Sequence, residues 1–144
     1  MPINNVKHGS NFKYIEPVNL YDCQISDNCF IGPFVEIQSD VFIGENTRVQ
    51  SHSFICSKVK VGKNCFIGHG VTFVNDKFLK NKIERNKKKL LKTKVGDNVL
   101  IGSNSTILPV EIHDNVTIGA GSVITKKCYP KKIYIGNPAK EKNK

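Results

Sequence analysis

The chain has 144 residues, 39% of them hydrophobic, with 22 Lys and Arg against 12 Asp and Glu and a formal net charge of +10. That length predicts one domain; without a long apolar run no helical membrane span is expected, and the start Met1-Pro2-Ile3-Asn4-Asn5 lacks the apolar core of a signal peptide, so a cytoplasmic protein is expected. The charge invites a nucleic-acid reading, but no aromatic platform or recognition motif interleaves with the basic residues, so no nucleic-acid partner is expected.

In chain order, Phe12, Tyr14, Ile15, Val18 and Leu20 read as an irregular capping coil. From residue 25 to residue 72 a six-residue unit then repeats eight times in one phase. Its openers are Ile25, Ile31, Ile37, Ile43, Val49, Ile55, Val61 and Ile67. The fifth residue is slim: Cys29, Val35, Val41, Thr47, Ser53, Val59, Cys65 and Val71. Gly32, Gly44, Gly62 and Gly68 take the second place. A fixed hexad is the mark of a parallel β-helix. Each opener points into a prism, and Gly or Asn at the corners accepts backbone angles that branched residues resist. One unit cannot bury its inner face alone, whereas stacked coils bury a continuous aliphatic column. The steps from Leu20 to Ile25 and from Ile107 to Ile112 are five residues, so one residue is missing at a corner in each.

The stretch from Phe73 to Lys94 breaks the pattern and predicts a loop over about 75–94. Inside a solenoid an insertion must leave the stack, and such excursions often carry function. This one holds Lys77, Lys80, Lys82, Arg85, Lys87, Lys88, Lys89, Lys92 and Lys94 against Asp76 and Glu84. Its part from Ile83 to Leu91 reads either as a short helical turn or as an irregular segment that a partner subunit covers. Hexads resume at Val95-Gly96, Ile101-Gly102, Ile112 and Ile118-Gly119 and stop after Val123-Ile124. Cys128-Tyr129-Pro130 then ends the stack, and Ile133 to Lys140 is expected as an extended tail. The expected organisation is one all-β domain over 1–144, with coils over 12–74 and 95–127, a loop over 75–94 and a tail over 128–144.

Residue types narrow the chemistry. Cys29 and Cys65 occupy the slim position, and Cys23 lies one coil edge earlier, where Cys behaves as a small hydrophobe. No pair has CxxC spacing, so neither a disulfide nor a metal site is expected. A second basic group comprises Lys126, Lys127, Lys131, Lys132, Lys140, Lys142 and Lys144. Most of these lysines read as solvated surface, and some as attractors of polyanionic small molecules. His52 lies seventeen residues before His69, close to one coil, which puts both at one corner on neighbouring coils. Each is either a solvated corner residue or a proton acceptor. His113 also sits beside a corner, and His8 receives no role.

Three strings carry a family resemblance: Gly70-Val71-Thr72-Phe73-Val74-Asn75-Asp76-Lys77-Phe78, then Ile118-Gly119-Ala120-Gly121-Ser122-Val123-Ile124-Thr125-Lys126, and Gly136-Asn137-Pro138-Ala139-Lys140. From about residue 12 to residue 140 the chain resembles the hexapeptide-repeat acyltransferases, whose fold is a left-handed β-helix with eighteen residues per coil. The first string is similar to bacterial sugar-nucleotide N-acetyltransferases that acetylate a 3-amino group, some on dTDP-3-amino-3,6-dideoxyhexoses and others on UDP-linked 3-amino uronic acids. The dTDP branch fits the stretch from Val71 to Pro109 better. Two departures stand out: Phe78 is followed by Leu79-Lys80 where relatives have Pro-Arg, and Ile107-Leu108-Pro109-Val110 lacks a Gly after the proline.

The resemblance implies acetyl-CoA as co-substrate, no metal, and a homotrimer with CoA and sugar held between neighbouring prisms. It implies that Asn75 holds the attacking amine, with Asp76, Phe78 and His52 near the sugar nucleotide and His69 as a candidate base. Asn75 could equally be a residue that turns the chain out of its coil. For CoA the implied contacts are Gly119, Ala120 and Gly121 along the pantetheine arm, Lys126, Lys127 and Lys140 on phosphates, and Asn137 and Pro138 in the tail. A sugar amine titrating at roughly 8, by analogy with an α-amino group, is partly neutral near pH 7, so positioning can suffice without a strong base. Two other readings of the same fold are a γ-carbonic-anhydrase-like metal site and a non-catalytic scaffold. The first needs three converging histidines, and His52, His69 and His113 are not spaced for it.

Overall fold

The computed structural model describes residues 2–142; Lys144 of the second basic group lies outside them. The chain winds as a left-handed parallel β-helix with three sheets. The first face stacks the strands Ile3–Asn4, Asn19–Tyr21, Glu36–Ile37, Phe54–Ile55, Thr72–Phe73, Thr106–Ile107 and Val123–Ile124. The second stacks Lys7–His8, Gln24–Ile25, Phe42–Ile43, Val59–Val61, Thr93–Val95 and Glu111–Ile112. The third runs from Lys13–Tyr14 through Phe30–Ile31, Arg48–Val49, Phe66–Ile67, Leu100–Ile101 and Thr117–Ile118 to Ile133–Gly136.

The openers form three buried columns, one per face, and every opener of the long hexad run is at most 1% exposed. Slim residues do more than make room. Thr47 Oγ1 donates to Gly62 O at 2.9 Å, and Ser53 Oγ donates to Gly68 O at 2.7 Å, so polar side chains inside the prism tie one coil to the next. All five cysteines are free and buried. Burial pushes the thiols of Cys23 and Cys128 up to about 11 and that of Cys56 up to about 12, which leaves them protonated and unreactive.

One slim position breaks this pairing. Thr93 is 2% exposed and its hydroxyl has no hydrogen-bond partner among the described residues, while Val59 holds the paired position one coil below. An orphaned buried hydroxyl costs about 1–3 kcal/mol. Thr93→Val is therefore expected to raise the melting temperature by about 2–4 °C, measured by circular dichroism; an unchanged or lower value would show that the hydroxyl is satisfied.

The missing corner residues leave a clear trace. Leu20 pairs with Ile37 and Ile107 with Ile124, seventeen apart, whereas Ile37 pairs with Ile55, eighteen apart. Three expectations need correction. The first coil is regular and starts at Ile3, in register with Leu20; polar residues such as His8, which pairs with Ile25, occupy its positions and hide the hexad. The insertion is shorter than 75–94, because Thr93 and Lys94 already pair with Val59 and Lys60. The tail is an antiparallel hairpin, Ile133–Gly136 with Ala139–Lys142, whose Tyr134 pairs with Ile118 and caps the third column. Of the two readings of the part from Ile83 to Leu91, the structure has the turn, a short 3-10 one at Lys87–Lys89 where Asn86 accepts from the Lys88 N–H; a second one spans Leu79–Asn81.

Candidate functional site

The first face separates two edges that carry nearly all the candidate residues. Where the third face turns into the first, a left-handed backbone residue closes each coil. From one coil to the next, its N–H donates to the coil below in the order Phe34, His52, Gly70, Asn104 and Gly121. His69 and Ala120 sit beside this column, which is called the histidine edge below. The opposite edge, from first to second face, carries Asn75, the insertion, Lys126 and Lys127, and is called the loop edge.

On the histidine edge, His52 and His69 share a corner on neighbouring coils, as their spacing predicts. Both are exposed. His69 Nδ1 lies 2.9 Å from Ser51 Oγ, a contact that orients the ring and leaves Nε2 toward solvent. The His52 ring stacks on Phe34, with centroids 4.9 Å apart and planes at 23°. Higher up, Gly121 has φ +70 and open space where a Cβ would point, and Ala120 is exposed. Gly119 differs, for Ile135 of the hairpin fills the space beside its Cα and its carbonyl accepts from Ser105 and Ser122.

On the loop edge the insertion is clamped at its base. Asn75 Nδ2 donates to Ser57 O and Oγ, both at 3.0 Å, and Asn75 O accepts from the Leu91 N–H at 3.0 Å. The amide is thus locked with Oδ1 left over as an acceptor. Asp76 Oδ1 accepts from the Phe78 N–H at 2.9 Å and Oδ2 from the Glu84 N–H at 2.8 Å, so this carboxylate organises the loop. Phe78, Leu79 and Ile83 are more than 60% exposed on it. The concave side, a cavity of about 770 Å³, is lined by Asn75, Asp76 and the cations Lys77, Lys80, Lys82, Arg85 and Lys89. Between the last coil and the hairpin, a second cleft of about 270 Å³ brings together Lys126, Lys127 and Lys140. Lys127 Nζ also lies 3.8 Å from Glu111. Asn137 and Pro138 form the exposed hairpin turn.

His69 and Asn75 are six residues apart along one extended run, roughly 15–20 Å, so one copy of the chain does not bring them together. His113 is on neither edge: it stands just after the strand Glu111–Ile112 of the second face, with Nε2 2.8 Å from Glu111. Among the described residues no group of three His, Cys, Asp or Glu side chains could hold a metal, and no helix is long and apolar enough to cross a membrane. Sequence reasoning missed Ser51, Ser57 and Phe34. The first two were recoverable from coil spacing, since each stands eighteen residues before its partner.

Two family models match the sequence. The family described as bacterial transferase hexapeptide (six repeats) matches residues 22–57 and 40–75, and the hexapeptide repeat of succinyl-transferase matches residues 92–126. No curated protein matches the sequence. Among solved structures, a variant of perosamine N-acetyltransferase from Caulobacter crescentus, in complex with CoA and GDP-perosamine, superposes with a TM-score of 0.73 at 18% identity. That match covers 99% of this chain and 57% of the other, so the chain spans little more than half the length of that protein. AntD, an N-acyltransferase from Bacillus cereus in complex with dTDP and coenzyme A, gives 0.69 at 20% identity over 98% of this chain and 81% of that one. A galactoside acetyltransferase in complex with coenzyme A gives 0.65 at 28% identity over 96% and 63%.

Proposed function

We propose, on the matches to the two hexapeptide-repeat families of transferases, that the chain is an N-acetyltransferase that moves an acetyl group from acetyl-CoA to the 3-amino group of a nucleotide-linked amino sugar. The preferred class is a dTDP-3-amino-3,6-dideoxyhexose, destined for a surface polysaccharide. The observation that carries this reading is the single clamped insertion, which sets a cationic wall beside a locked amide acceptor, Asn75 Oδ1. Nucleoside diphosphates and CoA are both polyanions, and a concave cationic wall raises their local concentration. The solved structures of similar fold that hold CoA with GDP-perosamine or with dTDP support the coarser pairing of CoA with a nucleotide-linked substrate.

In this reading the amine is held as a neutral nucleophile by Asn75 Oδ1. It attacks the thioester carbonyl, the tetrahedral oxyanion collapses, and CoA leaves as thiol. Lys126, Lys127 and Lys140 meet phosphates as point charges. His69 Nε2 is the candidate acceptor of the proton that the amine loses. The test of activity is thiol release from acetyl-CoA with a panel of dTDP-, UDP- and GDP-linked amino sugars; no release with any member overturns the proposal.

The site is composite. A cyclic interface joins two different surfaces of one chain, and in a homotrimer the histidine edge of one copy meets the loop edge of the next. Phe78, Leu79 and Ile83 on the insertion, with Phe66, Leu100 and Ile135 on the third face, are exposed apolar groups that such an interface would cover. Light scattering should give a trimer. Mixing His69→Ala chains with Asn75→Ala chains should leave both edges intact at about a quarter of the sites, so that activity exceeds the average of the two variants measured alone. A fully active monomer, or no rescue after subunit exchange, would overturn the composite site.

A further inference from the structure

We infer that Phe34 is a stacking platform for the nucleobase of the sugar nucleotide, an inference that rests on the proposed function. Phe34 adopts φ 62 at its corner. A bulky side chain in the left-handed region is an outlier, and Gly or Asn fits there without cost. On the same edge Gly70, Asn104 and Gly121 follow that rule, and His52, at φ 65, departs from it together with Phe34. More than half of Phe34 stays in solvent: the residue is 57% exposed. The stack on His52 covers one side of the ring and leaves the rest in solvent, a small return for a strained backbone, which makes a ligand the more economical explanation.

The ring is also held still. Pro33 precedes it and the Pro33 carbonyl accepts from the His52 N–H, while the His52 ring supports one side of Phe34. The other side remains for a planar partner. Base-on-aromatic stacking tolerates any base, because each has a π-face. The height along the prism fits as well. Phe34, His52 and Gly70 are consecutive steps of one column, so Phe34 lies two coils, about 10 Å, below His69. A ribose and two phosphates bridge such a span and bring the amino sugar up to His69, while CoA approaches from the Ala120–Gly121 end. Adenine of CoA is the other planar base in the reaction, and the measurement separates the two.

Phe34→Asn and Phe34→Tyr are compared with the wild type by isothermal titration with dTDP, GDP, UDP and CoA, by KM for each substrate, and by melting temperature. Asn accepts the left-handed angle, so Phe34→Asn should melt about 2–4 °C higher. Its Kd for the nucleoside diphosphate and KM for the sugar nucleotide should nevertheless rise about ten- to a hundredfold. CoA affinity and KM for acetyl-CoA should stay unchanged, and Phe34→Tyr should behave like wild type. Unchanged nucleotide affinity in Phe34→Asn overturns the inference, as does a loss confined to CoA. Wild-type protein that binds none of the nucleoside diphosphates would instead bring down the proposed function itself.

Discussion

Val61→Asp is expected to abolish folding. Val61 is 0% exposed and pairs with Ile43 below and Val95 above, in the middle of the second aliphatic column. A carboxylate there would stand between the aliphatic side chains of Ile43 and Val95. Burying an unpaired polar or charged group costs several kcal/mol, against a total stability of roughly 5–15 kcal/mol for a domain. Coils in a solenoid lean on their neighbours, so the damage would spread in both directions along the prism. The adjacent residue provides the control. Lys60 points outward, is exposed, and lies 5.8 Å from the Phe42 ring centroid. Lys60→Asp should lose little more than that weak contact and keep a normal melt. Circular dichroism on the pair reads out the phase directly; a folded Val61→Asp with an unfolded Lys60→Asp would mean that the two faces of this strand are exchanged.

The contrast between Val61 and Lys60 also explains what was legible in the sequence. A branched aliphatic every sixth residue has one physical meaning, since each must be inward and each must stack on its copy one coil away. The phase, the five-residue steps and the shared corner of His52 and His69 follow from counting. The first coil escapes because His8 and Tyr14 take positions that Ile holds one coil later, at Ile25 and Ile31. At the end of a stack the inward side is only half covered, so polar and aromatic residues are tolerated there. The hairpin escapes for a related reason: Ile133-Tyr134-Ile135-Gly136 reads as extended, and its packing is set by residues of the coil below, Ile118 and Gly119 among them.

The candidate site was legible residue by residue and not as an arrangement. Thr72-Phe73-Val74-Asn75-Asp76 marks where the chain leaves the stack, but the Asn75 clamp depends on Ser57, eighteen residues earlier, and on Leu91, sixteen later. Counting from His69 to Asn75 gives one hexad and hence opposite edges of one face. That separation turns a list of plausible catalytic residues into a statement about assembly. Phe34 left its own signal, for Gly32-Pro33-Phe34 puts a bulky aromatic where most other corners have Asn, Asp or Gly. A pattern search for aliphatic openers passes over it.

Asn75→Ala is expected to cut kcat/KM more than His69→Ala. The structure gives Asn75 a geometry that a positioning role requires. Nδ2 is bonded to two oxygens of Ser57, which fixes the amide, and in the proposed role its Oδ1 would accept one N–H of the substrate amine. Losing one such orienting bond is worth about 2–4 kcal/mol, roughly thirty- to a thousandfold in rate. Because the same side chain clamps the base of the insertion, Ser57→Ala is the companion variant. It removes one of the two bonds that hold the amide and should give a smaller loss of the same kind. His69 is anchored through Ser51, and an amine that is already partly neutral needs little help in losing its proton after attack. His69→Ala should therefore retain measurable turnover, with a changed acid limb of the pH profile if it accepts that proton. Loss of an obligatory general base would cost about 10²- to 10⁴-fold. The measurement is kcat/KM for all three variants from pH 6 to pH 9. A crippled His69→Ala without its acid limb, beside a nearly normal Asn75→Ala, would reverse the assignment: His69 would be the base, and Asn75 only the hinge by which the chain leaves its coil.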